Sequence, residues 1–431
     1  MLSILAVGWM GVMVCHAQTL RTIVEFGAVT GWTNAPTGYP RELVQSSDGT
    51  LYGTTAAPYK GHGTVFKVQP DGGGFAVLKW FTNSVEGTHP WGGLVLSGGT
   101  LYGTTTNGGS GTNGTVFKLA TDGSGYTVLK SFTSFNKQTN WDGARPYGHL
   151  ALSDNTLYGT TWEGGHFGMG TVFKVNTDGT AFTVLKQCTR EEAARPYAGL
   201  VLSGNALYGT STMGGSGWGS VFRLNTDGTD FTVLKQCTLE EAPRPSAGLV
   251  LSGRTLYGTS GTRGSIFKLN TDGTDFAVLH DFGPGERRTA LAPVVSGNTL
   301  YGTMYNGGIA GLGKVFRLNV DGTGYTEIAH FTGGNGANPN SGMVLSGRTL
   351  YGTTSAGGLG DQGTVFKIDL VGLPLVIQPV EGAVVLKWGR SADVLQAAGD
   401  AAGTYTNVPG AASPYTNAPV MPRQFFRLMG P

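Results

Sequence analysis

Cysteine is scarce in this chain, with three residues in 431, and one of them lies in the apolar N-terminal stretch. The other two, Cys188 and Cys237, occupy the same place in two neighbouring repeats, each at the end of "LKQC". A disulfide needs Cα atoms within about 7 Å, which equivalent positions one repeat apart seldom offer. We therefore expect two free thiols that act as small buried apolar groups.

Charged residues are also few, at 13% of the chain, and they nearly cancel to a net charge of +2. This balance gives no indication of a nucleic-acid or membrane-surface protein. No apolar run after residue 17 is long enough to cross a bilayer. We expect a monomer without a nucleic-acid partner and without a transmembrane segment.

The single long apolar run is "MLSILAVGWMGVMVCHA", residues 1–17. Its length and its small last residue, Ala17, are typical of a secretory signal peptide, although positive residues are missing at its start. A lipoprotein signal through Cys15 fits less well, because Val14 is bulky where a small residue is expected. We predict an exported protein, either secreted or at the cell surface or in the periplasm.

The usual sequence motifs of catalysis and metal binding are missing. His-x-x-x-His, Cys-x-x-Cys, EF-hand, phosphate-loop and Gly-x-Ser-x-Gly patterns do not occur. Glu191-Glu192 and Glu240-Glu241 are sequence neighbours, which does not indicate facing glycosidase carboxylates. We therefore predict no catalytic residue, no metal and no cofactor. Since residues from distant repeats can converge, a polysaccharide-active enzyme stays open as an alternative.

Glycine, by contrast, is abundant, with 73 residues and no Gly-X-Y period. Much of it belongs to a repeat that contains "LYGT", a Gly-rich stretch and then Val/Ile-Phe-Lys/Arg. The "LYGT" copies begin at Leu51, Leu101, Leu157, Leu207, Leu256, Leu300 and Leu350. A period of this length in an alternating apolar sequence indicates a closed array of small sheets.

Each repeat predicts four strands: a ("GLVLS"), b ("LYGTT"), c ("GTVFKLN") and d ("FTVLK"), joined by Gly-bearing turns. Four antiparallel strands per repeat are typical of β-propeller blades, so we predict an all-β, seven-bladed propeller. The last repeat stops after strand c, near Asp369. The N-terminal "TLRTIVEFG", residues 19–27, resembles a strand d, and we predict that it closes the ring and removes an exposed sheet edge.

The tandem "LYGTT…GTVFKLNTDGT…FTVLK" resembles the GloVer repeat of secreted bacterial proteins over residues 19–370, and its length and glycine pair are similar to those of kelch propellers. This resemblance implies a propeller on an exported protein and no particular catalytic residue. Residues 372–431 break the period and are similar to short C-terminal β-modules of secreted bacterial proteins. We predict a signal peptide at 1–17, a propeller at 18–371 and a small β-sandwich-like module at 372–431.

The b–c loops, such as residues 56–63 and 162–170, and the d–a loops, such as residues 133–147, vary in length and chemistry and belong to one face of the ring. We call it the loop face, and we expect it to carry any binding site. Four successive blades place arginine before a recurring proline, and these four could form a basic arc for a carboxylate or sulfate. They are Arg145, Arg195, Arg244 and Arg288. Alternatively, these arginines pair locally with Asp142, Glu192, Glu241 and Glu286.

Aromatic residues add to this face. Trp91, Tyr147 and Tyr197 follow the recurring proline, and Trp162 and Trp218 lie in b–c loops. Such rings suit sugar rings or a protein partner, or they pack loops onto their own blade. We predict a non-catalytic binding protein that recognises a polysaccharide or cell-surface ligand. A structural or adhesive protein-interaction module is the main alternative.

Overall fold

The computed structural model describes residues 20–27, 38–56, 62–82, 84–135, 140–261, 264–283 and 292–370. Outside these ranges it describes only the backbone of a few short strands. Within the described ranges the chain forms strands and turns and no helix, as predicted. Seven antiparallel sheets, in the predicted a-b-c-d order, are the blades of a β-propeller.

The strands lie where the repeat predicts them. Strand a is Val44–Gln45, Val95–Ser97, Ala151–Ser153, Val201–Ser203, Val250–Ser252, Val294–Ser296 and Val344–Ser346. Strand b is Leu51–Thr55, Thr100–Thr105, Thr156–Thr161, Ala206–Ser211, Thr255–Thr259, Thr299–Met304 and Thr349–Ala356. Strand c is Thr64–Val68, Thr115–Ala120, Thr171–Asn176, Ser220–Asn225, Ser265–Asn270, Lys314–Asn319 and Thr364–Asp369. Strand d is Ala76–Trp80, Thr127–Ser131, Thr183–Gln187, Thr232–Gln236, Ala277–Asp281 and Thr326–His330.

The seventh blade takes its outer strand from the N-terminus, which confirms the predicted closure. Leu20–Glu25 lies beside Thr364–Asp369, and a three-residue strand, Ala337–Pro339, pairs with the end of strand b in the same sheet. The backbone N–H of Phe26 donates to the carbonyl of Gly363 at 3.0 Å. The Phe26 side chain is fully buried in the core between the seventh and first blades.

The "LYGT" motif explains how blades stack. Its tyrosine packs into the next blade; Tyr208, for example, joins a core cluster with Leu249 and Phe267. Its glycine leaves room for the phenyl ring of strand c, because a Cβ at Gly209 would lie 2.4 Å from Cζ of Phe222. The tyrosine is therefore a packing residue, and the glycine is required by close approach rather than by a turn.

Hydroxyl pairs join strands b and c inside the blades. Thr161 and Thr171, for example, lie 2.9 Å apart and are fully buried. Blade six departs from this pattern, with Met304 and Lys314 in their places; Lys314 Nζ contacts a Glu327 carboxylate oxygen at 2.6 Å. A buried charge needs such a partner.

The prediction for the two cysteines is confirmed. Cys188 and Cys237 are free and buried, and burial raises the pKa of both thiols to about 12. The aspartates of the c–d turns cap ordinary hairpins: Asp178 accepts hydrogen bonds from the hydroxyl and the backbone N–H of Thr180 at 2.6 and 2.9 Å. These hydrogen bonds hold the pKa of Asp178 below its usual value.

A second compact unit comprises Met1–Leu20, Gly347–Leu350 and Ile368–Pro431. Its remaining strands are Leu5–Ala6, Val376–Val380, Ala383–Lys387, Val394–Ala398, Thr406–Asn407, Tyr415–Asn417 and Phe425–Met429. They form two small sheets, one of four strands and one of three. Apart from Leu5–Ala6, the expected signal peptide lies outside the described residues.

Candidate functional site

The residue before the recurring proline has the same unusual backbone in every blade where it is described. Its φ lies between 55° and 63°, in the left-handed region. The residues are Tyr39, His89, Arg145, Arg195, Arg244 and Asn338. This conformation is costly for residues other than glycine, asparagine and aspartate, so the neighbouring loops must hold it. In blade four, the N–H of Arg195 donates to Met169 O at 2.8 Å and its carbonyl accepts from Thr212 N at 3.2 Å.

Two of the predicted arginines stack on indole rings of the preceding blade. Arg195 lies over Trp162, with 4.8 Å from its Cζ to the ring centroid, and Arg244 lies over Trp218 at 5.5 Å. Within the described residues neither arginine has a carboxylate partner, and Arg195 Nε is buried without a hydrogen-bond acceptor. Cation–π contacts hold these guanidinium groups in place without neutralising their charge.

Arg145 differs from these two, because its Nη1 lies 3.4 Å from a carboxylate oxygen of Glu163. Its side chain is about two-fifths exposed, so the ion pair contributes little to stability. The fourth predicted arginine, Arg288, lies outside the described residues.

Pairing of the arginines with the acids of their own loops is wrong for the three acids that are described. Each of these acids contacts a lysine of the preceding strand d instead. The pairs are Asp142 with Lys130 at 2.7 Å, Glu192 with Lys186 at 2.6 Å and Glu241 with Lys235 at 2.8 Å. Each lysine Nζ also lies 4.0 to 4.3 Å from the centre of a phenyl ring in the next blade. Glu286 lies outside the described residues.

Four of the five predicted aromatic residues contact one another at the mouth of the central channel. Tyr147 stacks on Tyr197 with ring centres 4.9 Å apart, and it meets the edges of Trp91 and Trp162 at 6.0 and 5.7 Å. Trp91, Tyr147 and Tyr197 line a cavity of about 60 Å³, which we call the mouth cavity. Trp218 does not line it and contacts Arg244 further along the ring.

Arg41 also lines the mouth cavity, and sequence reasoning did not select it as a site residue. It follows the recurring proline of blade one, where the next three blades carry aromatic residues. Only 4% of its surface is exposed, and its Cζ lies 3.5 Å from the centre of the Trp91 ring. Burial lowers the pKa of Arg41 to about 10, so the group stays charged at neutral pH.

A second missed feature of the mouth cavity is an ion pair between Glu42 and His149, whose carboxylate oxygen and Nδ1 lie 3.3 Å apart. Burial alone would raise the pKa of Glu42 and lower that of His149, but each charge stabilises the other more strongly. The pKa of Glu42 is therefore below its usual value and that of His149 above it. The other five repeats have Gly or Ala at this position, and that contrast was a usable signal.

Exposed apolar side chains collect on the loop face. They are Val85, Trp141, Phe167, Leu239, Ile309 and Leu359, each 43% to 86% exposed. Trp141 stacks on His166 at 4.7 Å, and Phe167 meets the edge of that imidazole at 4.8 Å. Gln187 fixes both loops, because it donates to Trp141 O at 2.9 Å and accepts from His166 N at 2.8 Å.

Among the described residues, no group of three His, Cys, Asp or Glu side chains is placed to hold a metal ion. The same residues form no helix that is long and apolar enough to cross a membrane.

Comparisons with known proteins agree with the repeat and the fold. The family model of the Gloeobacter/Verrucomicrobia repeat matches residues 13–141, 133–287 and 260–378. Among proteins with curated functions, none matches this chain.

Solved structures resemble the chain at low sequence identity. The extracellular domain of a hybrid two-component system from B. thetaiotaomicron has 13% identity and a TM-score of 0.55, covering 86% of this chain and 44% of that one. A second structure is described as the extracellular domain of a one-component system from the same organism. It has 13% identity and a TM-score of 0.54, and the match covers 90% of this chain and 45% of that one. This chain thus spans less than half of either relative, and the likeness is one of fold alone. A chain of a nidogen/laminin complex has 17% identity, and the match covers 65% of this chain and 93% of that one. Its TM-score of 0.42 is too low to support an argument.

Proposed function

The chain belongs to the family of the Gloeobacter/Verrucomicrobia repeat, and we propose that it is an exported, non-catalytic binding protein that recognises an acidic polysaccharide with its loop face. The observation that carries this proposal is the combination at the channel mouth. Tyr147 stacks on Tyr197 and meets the edges of Trp91 and Trp162. Arg195 lies over that Trp162 ring and Arg244 lies further along the ring over Trp218, both without a described carboxylate partner.

The chemistry of the two groups is complementary. Aromatic faces pack against the C–H faces of sugar rings, while their polar edges and neighbours accept or donate hydrogen bonds. Arg195 and Arg244 keep their charge available, and guanidinium groups match carboxylate and sulfate geometry. Because the blades form a rigid scaffold, little order has to be gained on binding.

Export and the domain boundaries form part of the same proposal. We propose that residues 1–17 are removed as a signal peptide, that residues 18–371 form the binding propeller, and that residues 372–431 form an accessory β-module. The extracellular origin of the two solved relatives with TM-scores above 0.5 supports export.

The test is binding of residues 18–431 to a panel of acidic and neutral polysaccharides. The variant Arg195→Gln/Arg244→Gln removes two loop-face charges without a carboxylate partner. The matched control, Arg254→Gln/Arg348→Gln, removes two charges from a–b turns on the opposite face. We expect the wild type and the control to bind acidic polymers. The affinity of the loop-face variant should be lower by roughly 10-fold or more. Equal losses of affinity in both variants would show that binding depends on net charge alone.

A structural or adhesive protein-interaction module is the second candidate, and the exposed apolar residues of the loop face favour it. Trp141 and Phe167 form an exposed cluster around His166, and contiguous exposed apolar groups often mark protein interaction sites. In that case Trp141→Ser/Phe167→Ser abolishes the protein contact, while the wild type, although folded, binds no polysaccharide. Release of soluble oligosaccharides from a polymer would instead identify an enzyme.

A further inference from the structure

The guanidinium group of Arg41 is buried in an unusual way. Its Nε and Nη2 are both shielded from solvent, and within the described part of the chain neither has a hydrogen-bond acceptor. These two nitrogens form one edge of the guanidinium fork, the edge that binds both oxygens of a carboxylate side by side. A buried charged donor without an acceptor is strongly unfavourable.

The charge of Arg41 is also uncompensated in its surroundings. The nearest carboxylate in sequence, Glu42, is engaged with His149 at 3.3 Å, and no described carboxylate forms an ion pair with Arg41. Trp91 covers one of its faces, and the phenol groups that interact with it belong to Tyr39, Tyr147, Tyr197 and Tyr305. The Glu42 carboxylate lines the same cavity but is balanced by His149, so the positive charge of Arg41 has no described anion as its partner.

The mouth cavity next to this charge has room for a small group. Its volume of about 60 Å³ exceeds the 10–15 Å³ or so that one water needs on the same measure. It is too small for a whole sugar ring, but it suits a carboxylate or sulfate group. The stacked Tyr147 and Tyr197 line the same cavity and offer an aromatic surface beside it.

We propose that Arg41 is the anchor of an oxyanion subsite at the channel mouth, which takes the carboxylate or sulfate of an acidic sugar whose ring packs on Tyr147 and Tyr197. The Trp91 indole covers a face of the same guanidinium group, with its ring centre 3.5 Å from Arg41 Cζ, so it lies next to an anion bound at the fork edge. Binding therefore changes the environment of Trp91. This inference rests on the proposed function and adds the ligand class and its anchor.

The experiment titrates residues 18–431 with D-glucuronate, D-glucose and inorganic sulfate, and follows tryptophan fluorescence and the melting temperature. We expect glucuronate to change the fluorescence, to raise the melting temperature and to bind roughly 10- to 100-fold more tightly than glucose. Sulfate binding as tight as that of glucuronate would overturn the sugar part of the proposal and leave a free-anion site. Equal affinity for glucose and glucuronate would overturn the oxyanion subsite.

Two variants test the anchor. Arg41→Gln removes the charge, whereas Arg41→Lys keeps the charge but loses the two-pronged guanidinium geometry. The lysine variant still tests the anchor if the glutamine variant does not fold. We expect glucuronate to bind roughly 10-fold or more weakly to both, with Arg21→Gln as a surface control that binds normally. Unchanged glucuronate affinity in Arg41→Lys would refute the fork geometry.

The outcome is separable from that of the proposed function. If the wild type binds polymers and only Arg195→Gln/Arg244→Gln loses this binding, the loop face is a binding site and the Arg41 subsite is wrong. If glucuronate binds through Arg41 but no polymer binds, the subsite stands and polysaccharide recognition is wrong.

Discussion

The contribution of the N-terminal strand to ring closure can be tested with one substitution, Phe26→Ala. Phe26 is fully buried and meets Phe66 and Phe75 of blade one edge-on, with ring centres 5.2 and 5.9 Å apart. Removing a buried phenyl group lowers the free energy of unfolding by about 3–5 kcal/mol. The assay is urea denaturation of residues 18–431 followed by circular dichroism.

The repeat supplies a matched control for this experiment. Phe132 has the same environment at the end of blade two: it is fully buried and lies 5.3 and 6.0 Å from two phenyl rings of blade three. Its strand is continuous with its blade, whereas the strand before Phe26 is sequence-remote from the rest of the seventh blade. Phe132→Ala therefore measures the loss that an ordinary junction shows.

We expect Phe26→Ala and Phe132→Ala to destabilise the propeller by similar amounts. The exposed Arg21, in the same N-terminal strand, gives the baseline, and Arg21→Ala should change the free energy of unfolding by less than about 0.5 kcal/mol. A destabilisation by Phe26→Ala no larger than that of Arg21→Ala would refute the closure.

Three further predictions concern packing, the ion pair and the thiols. Gly209→Ala should lower the free energy of unfolding by about 1–3 kcal/mol in urea, because its Cβ would clash with a phenyl ring at 2.4 Å; Gly334→Ala, which meets nothing within 4 Å, is the control. His149→Gln should lower the free energy of unfolding most between pH 4.5 and 6.5, the usual pKa values of glutamate and histidine. The difference from wild type should shrink as the pH rises through the raised pKa of His149, or as it falls through the lowered pKa of Glu42. A pH-independent difference in urea denaturation would contradict the pairing. Cys188 and Cys237 should resist a thiol reagent at pH 8 until the chain unfolds, because burial suppresses the thiolate; rapid labelling of the native protein would show that they are accessible.

The blade count and the closure followed from the sequence because both depend on local patterns. Alternating apolar residues, the "LYGT" motif and the Gly-bearing turns define each strand within about ten residues, and a missing strand after Asp369 can only be balanced by an unassigned one. The positions of Trp91, Tyr147 and Tyr197 on the loop face followed too, since each occupies the same place in its repeat.

The partners of the charged residues were decided by the tertiary structure. Arg195 and Arg244 contact indoles of the preceding blade, and the acids beside them contact lysines of the preceding strand d. Sequence distance within a loop did not predict these pairs, because each guanidinium group lies over an indole of a different loop, which only the packing of neighbouring blades brings close.

The convergence of Arg41, Glu42 and His149 is the clearest case. Glu42 and His149 are separated by 107 positions, two blades apart, and only the closed ring brings their charges to 3.3 Å. The sequence determined which strands exist and how many blades they build, because those properties depend on neighbouring residues. The structure alone decided which side chains share the channel mouth, because that depends on how the whole ring curves back on itself.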